Sequence, residues 1–166
     1  LYSVLSESKR AFLHEDVGMA LEELYGEETG EIAVELAGHF QAAGIPERAV
    51  PHLHRAGQRA IQMAANEEAM GLLSLGLELL RTLPSTAARS RQELSVGIAL
   101  GEAQRNAGHV AVAMETFQQA AALARELRAW NDLALAALGF EEARWRYNLP
   151  AAPAVALLEE AQRAMA

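Results

Sequence analysis

The sequence predicts an all-α protein in which about eight antiparallel helices form a helical-repeat array. Of its 166 residues, 35 are alanine and 24 are leucine, whereas aromatic residues make up only 5%. Alanine and leucine favour helices, and the β-branched residues that favour strands are sparse. Stretches with a helical hydrophobic period are separated by short breaks, which force neighbouring helices to run antiparallel. Spacings of small and large residues also recur along the chain, as in repeat proteins.

Eight stretches carry the hydrophobic period of an α helix and are bounded by turn residues. The first has its apolar residues at helical positions: Phe12, Leu13, Val17, Ala20, Leu21 and Leu24. In the fourth, Met70, Leu73, Leu77 and Leu80 form one stripe. The predicted helices cover about 7–25, 31–43, 46–64, 67–82, 87–107, 110–128, 130–148 and 151–165.

Several residues in the breaks predict where particular helices begin. Pro46 follows a glycine-containing turn and is expected in the first turn of the third helix. Asn66, which precedes two glutamates, is expected to cap the fourth helix, and Thr86 or Ser85 the fifth. Pro51 lies inside the third predicted helix and removes a backbone donor there. Either that helix is kinked or its first turn is irregular.

Two segments share a spacing of large and small residues that is typical of packed helical hairpins. In each, a leucine is followed 13, 17 and 20 positions later by an alanine, a large residue and another alanine. The first unit contains Leu36, Ala37, Phe40, Ala49, Leu53 and Ala56, and the second contains Leu100, Gly101, Ala113, Phe117 and Ala120. Small residues let two helices approach closely, and large residues fill the remaining space.

The intervals between equivalent positions are irregular, so we expect degenerate repeats that stack without a strict period. Weaker matches to the spacing occur at Ala69, Leu73 and Gly76. The alternative is an irregular helical bundle in which the small residues recur by chance.

These packing residues resemble the tetratricopeptide repeat, a helix-turn-helix unit. The segment LAGHFQAAGIPERAV at 36–50, the segment ANEEA at 65–69 and the segment FLHEDVGMALEELYG at 12–26 are similar to the helical-repeat region of large bacterial regulators. These are LuxR-type transcriptional regulators and adenylate/guanylate-cyclase-linked predicted ATPases. The resemblance implies an α-solenoid that follows an ATP-binding switch module and a winged helix. It covers about 1–83 well and the rest of the chain only generically.

The resemblance also implies how the chain is organised. Residues 1–166 are expected to form a single domain with a leading helix at 1–26 and degenerate repeats over 31–166. The chain begins with Leu1 rather than Met, and we expect it to be a piece of a longer protein. None of the resembling motifs is a catalytic or ligand-binding residue that could be carried over.

Composition and charge exclude several classes of function. The chain has no cysteine, which excludes a disulfide scaffold, a zinc–thiolate site and a cysteine nucleophile. The net charge is −8, and the first 50 residues hold ten acidic residues against three basic ones. Because a nucleic-acid binder needs a basic stripe, we expect no direct nucleic-acid binding. No apolar run is long enough to cross a membrane, so we expect no membrane association.

No motif indicates catalysis, a cofactor or a metal site. A phosphate-binding Gly-x-x-x-x-Gly-Lys loop is absent, and no serine lies in a nucleophile elbow. Glu35 and His39 lie four positions apart and could share a metal ion or a hydrogen bond, although a surface pair is the simpler interpretation. His52 and His54 are predicted to point to different faces of one helix. We therefore expect no enzyme activity.

The candidate binding residues lie near the ends of two helices. Arg144, Trp145, Arg146 and Tyr147 combine the three side-chain types that dominate binding hot spots. The alternative is that Trp145 packs between repeats while the arginines stabilise a helix C-terminus. In the groove of the second unit, Arg105 and Asn106 could contact a polar ligand.

The sequence therefore predicts a non-catalytic module for protein–protein interaction or ligand sensing in a cytoplasmic bacterial signalling or transcription-regulating ATPase. The expected partners are a protein or peptide, a small inducer, other domains of the parent chain, or a second copy that forms a homodimer. The alternative is a structural spacer or a self-association arm of the parent protein.

Overall fold

The computed structural model describes residues 6–26, 30–146 and 152–165, and over these residues the chain forms eight α helices and no strand. The helices are α1 (Glu7–Tyr25), α2 (Ala33–Ala42), α3 (Pro46–Gln62), α4 (Asn66–Thr82), α5 (Ala87–Ala107), α6 (Val110–Leu127), α7 (Trp130–Trp145) and α8 (Ala152–Met165). Each helix packs against its neighbours along the chain. The predicted all-α helical-repeat array is confirmed. No helix of the described chain is long and apolar enough to cross a membrane.

The helix starts agree with the predicted caps at α5 but not at α4. The Thr86 side-chain oxygen accepts a hydrogen bond from the Arg89 N–H at 3.1 Å. Asn66, in contrast, is the first helical residue of α4, so the prediction that it caps this helix is wrong. The preceding turn is too tight to leave a side-chain cap, because Ala64 has φ +58° and the Ala65 N–H donates to the Ala60 carbonyl at 2.8 Å.

Helix α3 continues through Pro51. It begins at Pro46, and in its first turn the Ile45 carbonyl accepts from the N–H groups of both Arg48 and Ala49, at 3.1 and 3.2 Å. Shared bonds of this kind are common at helix termini, and α3 runs as one helix from Pro46 to Gln62. The Pro51 ring is exposed, so it avoids the interior of the fold.

The helices alternate between two layers. In addition to its neighbours along the chain, α5 contacts both α3 and α7, whereas the even-numbered helices do not pack on one another comparably within the described chain. The odd-numbered helices are therefore closer together. A layered array curves towards its more closely spaced layer, so α3, α5 and α7 form the inner layer, and the even-numbered helices the outer one.

Three glycines, on α1, α3 and α5, each receive a large side chain from the helix that follows in the chain. A Cβ placed at Gly57 would lie 2.6 Å from Cγ of Leu73, and one at Gly101 would lie 2.8 Å from Cε1 of Phe117. The same relation joins Gly18 of α1 to Phe40 of α2, at 2.9 Å. Only glycine permits this approach.

The recurring glycine contacts correct the predicted pairing of helices. They pair α1 with α2, α3 with α4, and α5 with α6. The unit predicted at α2 and α3 starts on the outer layer, whereas the unit at α5 and α6 starts on the inner layer, so the two are not equivalent repeats. The unit in register with α5 and α6 is α3 and α4, where Ala69, Leu73 and Gly76 repeat the spacing after Ala56. Spacing alone did not reveal this because the hairpins α2–α3, α3–α4 and α5–α6 all show it.

The predicted packing residues nevertheless form the core. All eleven are buried: Leu36, Ala37, Phe40, Ala49, Leu53, Ala56, Leu100, Gly101, Ala113, Phe117 and Ala120. The large residues among them fill the space between layers, and the alanines lie where helices cross.

Helix α1 differs from the rest because its predicted apolar stripe faces outward. Leu13, Val17 and Leu24 are exposed by 45%, 42% and 76%, and Phe12 by 62%. The face that meets α2 has Gly18 as its buried residue. Leu21 of the stripe is partly buried and packs against buried residues of α2 and α3, so α1 joins the core through a narrow apolar contact.

Candidate functional site

A cleft of about 370 Å³ lies on the inner layer between α3 and α5. The lining comes from the second to fourth turns of α3 and from the second and third turns of α5. The two helices run in the same direction because each is antiparallel to α4. The cleft is lined by Val50, Pro51, His54, Arg55, Gln58, Arg91, Gln92, Ser95 and Val96. Its volume is within the range that small ligands and side chains of a bound peptide occupy.

The lining of this inner cleft is basic although the chain as a whole is acidic. Arg55 and Arg91 lie in it, and none of its lining residues is an aspartate or a glutamate. The carboxylate of Glu93, two positions after Arg91, pairs with Arg89 at 3.1 Å on the other side of α5. The charged side chains that line the cleft are thus both basic, in a chain of net charge −8.

His54 contributes a half-buried ring to the inner cleft. Its Nε2 atom is buried and has no hydrogen-bond partner in the described structure. Burial lowers the pKa of His54, so its ring is neutral at pH 7. A neutral ring leaves one nitrogen available to donate or accept a hydrogen bond. Ser95 donates to the Arg91 carbonyl at 3.1 Å, which leaves its oxygen free to accept a further bond.

The predicted groove residues Arg105 and Asn106 lie near the C-terminus of α5, where Arg105 is engaged by protein groups. Its guanidinium pairs with Glu142 of α7 and donates to the Asn106 side-chain oxygen at 3.4 Å. Glu102 lies 3.9 Å from the same guanidinium. The structure thus uses Arg105 to join α5 to α7 and to hold Asn106.

The predicted cluster at the end of α7 is divided between interior and surface. Arg144 is buried and forms two hydrogen bonds with Glu141, one of them from Nε at 2.7 Å. These bonds raise the pKa of Arg144 and lower that of Glu141. Trp145, in contrast, is 76% exposed, and Arg146 is exposed. The interpretation of Trp145 as a residue packed between repeats therefore fails. Tyr147 lies outside the described residues.

A second group of polar residues joins α1 to α2 and α3. Glu22 of α1 pairs with Arg48 and accepts a hydrogen bond from Nε2 of His52 at 2.7 Å. Phe40 stacks on the His52 ring, with ring centroids 5.7 Å apart, and the Arg48 guanidinium lies 4.4 Å above Phe40. These charged groups hold α1 against α2 and α3 together with the apolar contact made by Leu21.

The predicted pair of Glu35 and His39 is present, with Nε2 of His39 4.0 Å from Oε1 of Glu35. A third residue beside this pair was not predicted from the sequence. His14 of α1 lies with its Nδ1 atom 3.0 Å from Nδ1 of His39. The Nδ1 atom of one ring donates this hydrogen bond and that of the other accepts it. Within the described residues, no group of three histidine or carboxylate side chains is arranged to hold a metal ion.

A second cleft, of about 410 Å³, opens on the outer layer between α4 and α6, with α5 as its floor. Its charged lining residues are Arg81, Glu93 and Glu126. The outer cleft thus has charged groups of both signs in its lining, and one of its two glutamates, Glu93, is paired with Arg89.

Comparison with known proteins identifies no relative. No family model, curated protein or solved structure matches this chain.

Sequence reasoning missed the inner cleft because it aligned the wrong helices. His54, Arg55 and Gln58 share one face of α3 by their helical spacing, as do Arg91 and Ser95 on α5. The signal available in the sequence was a polar helix face without acidic residues in an otherwise acidic chain. It becomes informative only when α3 and α5 are known to share a layer.

Proposed function

We propose that this chain is a non-catalytic binding module whose inner layer holds a peptide segment, a protein domain or a small ligand. The observation that supports it is the inner cleft, where His54, Arg55 and Gln58 of α3 face Arg91 and Ser95 of α5 across open space. Curved helical arrays use their concave layer for binding because several helices present side chains to one partner.

The proposed role in the parent protein is ligand sensing. By its resemblance to the repeat regions of LuxR-type regulators and cyclase-linked ATPases, the module belongs to a cytoplasmic bacterial regulator. An occupant that contacts both α3 and α5 fixes their separation. Because such an occupant binds one curvature of the array better than another, it shifts the parent between two states.

Selection from a phage-displayed random peptide library, performed on the chain, tests binding by the inner layer. Ser95→Trp fills the inner cleft, since Ser95 is exposed and lines it. Gln41→Trp adds the same side chain on the exposed surface of α2, on the outer layer. We expect the selected peptides to bind the unmodified chain and Gln41→Trp equally, and to lose most of their affinity for Ser95→Trp. Peptides that bind all three proteins equally would contradict the proposal.

A self-association arm is the second candidate function, and the exposed face of α1 favours it. Phe12, Leu13, Val17 and Leu24 present large apolar side chains on a helix that packs on one side only. A stable dimer buries about 1,200–2,000 Å² of accessible surface in total. The exposed face of α1 would supply part of that area. Light scattering over a concentration range would then give a dimer, and Val17→Ser with Leu24→Ser would return it to a monomer. A monomer at every concentration would exclude this role.

A further inference from the structure

We propose that the exposed apolar face of α1 docks an amphipathic helix of a partner protein, one that carries lysine or arginine beside its apolar stripe. The α1 face consists of Leu13, Val17, Ala20 and Leu24, which lie on one side of the helix. It is a second surface, separate from the inner cleft. Four observations carry the inference: the register of the odd-numbered helices, the cover of the equivalent face on α5, the position of Asp16, and a depression beside Phe12.

The register of the odd-numbered helices relates the α1 face to buried faces elsewhere in the array. Gly18, Gly57 and Gly101 each receive a side chain of the next helix, so they mark equivalent positions in α1, α3 and α5. The residues five and one positions before these glycines are Leu13 and Val17 in α1, His52 and Ala56 in α3, and Val96 and Leu100 in α5. The residues of α3 and α5 are buried, whereas Leu13 and Val17 are exposed by 45% and 42%. The α1 face therefore occupies the position at which the array stacks one helical pair on the next.

The helices that cover this position on α3 and α5 define the kind of occupant. On α5, the equivalent face packs in one apolar cluster with residues of the preceding helical pair: Leu73 and Leu80 of α4, and Val50 and Ala60 of α3. On α3, His52 stacks on Phe40 of α2. In both cases helices supply the cover, so continuity of the array predicts that the α1 face also receives a helix with an apolar stripe.

Asp16 sets the charge of the occupant. It lies three residues after Leu13 and four before Ala20, at the position where α5 has the buried Ala99. A helix that covered the α1 face as α3 and α4 cover α5 would remove water from this carboxylate, which is costly unless a cation accompanies it. Glu23 follows three residues after Ala20 and extends the same edge. An occupant with lysine or arginine along this edge would pair with both carboxylates.

The same edge disfavours a second copy of this chain as the occupant. Two α1 faces packed together would bring Asp16 and Glu23 of both copies into one interface. Like charges that are placed together across an interface oppose association. The occupant is therefore a helix whose charge is complementary to that of α1.

A depression at the N-terminal end of the α1 face offers a place for an anchoring side chain. It measures about 370 Å³ and is lined by Ser8, Lys9, Phe12 and Leu13. The Phe12 side chain is 62% exposed, so its ring is open to contact with an apolar residue of the occupant. Aromatic contacts of this kind often dominate the affinity of an interface.

Fluorescence anisotropy with two labelled helical peptides tests this inference on the whole chain. Both peptides have leucines spaced as Leu73, Leu77 and Leu80 are in α4, and one has lysine beside this stripe where the other has glutamate. We expect the lysine peptide to bind at least about tenfold more tightly than the glutamate peptide. Val17→Ser should weaken binding of the lysine peptide about tenfold, because it removes apolar area from the interface. Val112→Ser, which makes the same change at an exposed position of α6, should leave its affinity unchanged.

Two further variants separate the parts of the inference. Asp16→Asn should reduce the difference in affinity between the two peptides, because the carboxylate that requires a cation is gone. Ser95→Trp, which fills the inner cleft, should leave binding of the lysine peptide unchanged. Loss of binding in Ser95→Trp would place the peptide in the inner cleft and refute docking on α1, while the proposed binding module would stand.

Several other results would overturn the inference. One is the absence of measurable binding by either peptide, and another is equal affinity for the lysine and glutamate peptides. Equal loss from Val17→Ser and Val112→Ser would show adhesion to apolar surface without a site. A dimer of the unmodified chain in light scattering that Val17→Ser converts to a monomer would assign the α1 face to a second copy instead.

Discussion

Replacing Gly101 by alanine places a methyl group against the ring of Phe117, and this change tests the packing that sets the repeat. The added Cβ would lie 2.8 Å from Cε1 of Phe117 and 3.0 Å from Cδ1 and Cζ. Carbon atoms in contact prefer about 3.5–4.0 Å. The ring has little room to move, because a Cβ at Gly139 of α7 would lie only 2.4 Å from the same ring edge. We therefore expect Gly101→Ala to strain the junction of α5, α6 and α7.

The magnitude follows from a matched control in the same helix. Gly97 lies one turn before Gly101, and a Cβ there would meet nothing within 4 Å. Gly97→Ala should raise the free energy of unfolding by about 0.5–1 kcal/mol, because alanine favours the helix over glycine. Gly101→Ala gains the same propensity but suffers overpacking, which costs about 1–3 kcal/mol. Its stability should therefore lie about 1–3 kcal/mol below that of Gly97→Ala.

Urea unfolding followed by far-ultraviolet circular dichroism measures both variants. Unchanged slopes with shifted midpoints would show that stability alone has changed. Phe117→Leu should restore part of the loss in the Gly101→Ala background but not in the Gly97→Ala background, so that only the first pair shows a coupling energy. Equal stability of the two alanine variants would refute the argument that glycine at 101 is required by the approach of Phe117.

Two further predictions concern titration and the attachment of α1. Burial lowers the pKa of His54, so the unfolded chain binds a proton at this ring more readily than the folded chain does. The stability contributed by the neutral ring is therefore present above about pH 6.5 and is lost as the pH falls. The midpoint of urea unfolding should therefore fall less between neutral and mildly acidic pH in His54→Gln than in the unmodified chain, and an identical fall in both would contradict this. Glu22→Gln removes the carboxylate that holds Arg48 and His52, so amide hydrogen exchange in α1 should accelerate about tenfold or more while exchange in α5 and α6 stays constant. Uniform acceleration throughout the chain would show instead that α1 unfolds only with the whole domain.

The helices could be predicted from sequence because their signals are local. Hydrophobic period and turn residues placed every helix with its ends within three residues of those observed. The cap at Asn66 was misassigned because the tight turn at Ala64 depends on φ +58°, which alanine adopts without any signal in the sequence. The apolar stripe on α1 was predicted, but its periodicity does not tell which side of the helix faces the core. The side that faces α2 is the one with Gly18, where Phe40 approaches closely.

The candidate site was less predictable because it depends on which helices share a layer. Arg105 and Arg144 were proposed as binding residues, yet both pair with nearby carboxylates, Arg105 with Glu142 and Arg144 with Glu141. Residue type alone does not distinguish an arginine that binds a partner from one that joins two parts of the fold. Arg91 lies in the inner cleft only because α3 and α5 contact each other across the connection made by α4.

The central claim is that the inner layer between α3 and α5 is the working surface of this chain. Backbone amide chemical shifts, recorded by nuclear magnetic resonance while a library-selected peptide is added, test it most directly. The account predicts that the shifted resonances cluster at residues 50–58 and 91–96 and that Ser95→Trp abolishes the shifts. Shifts confined to α1 or to the outer layer, for every peptide that binds, would contradict it.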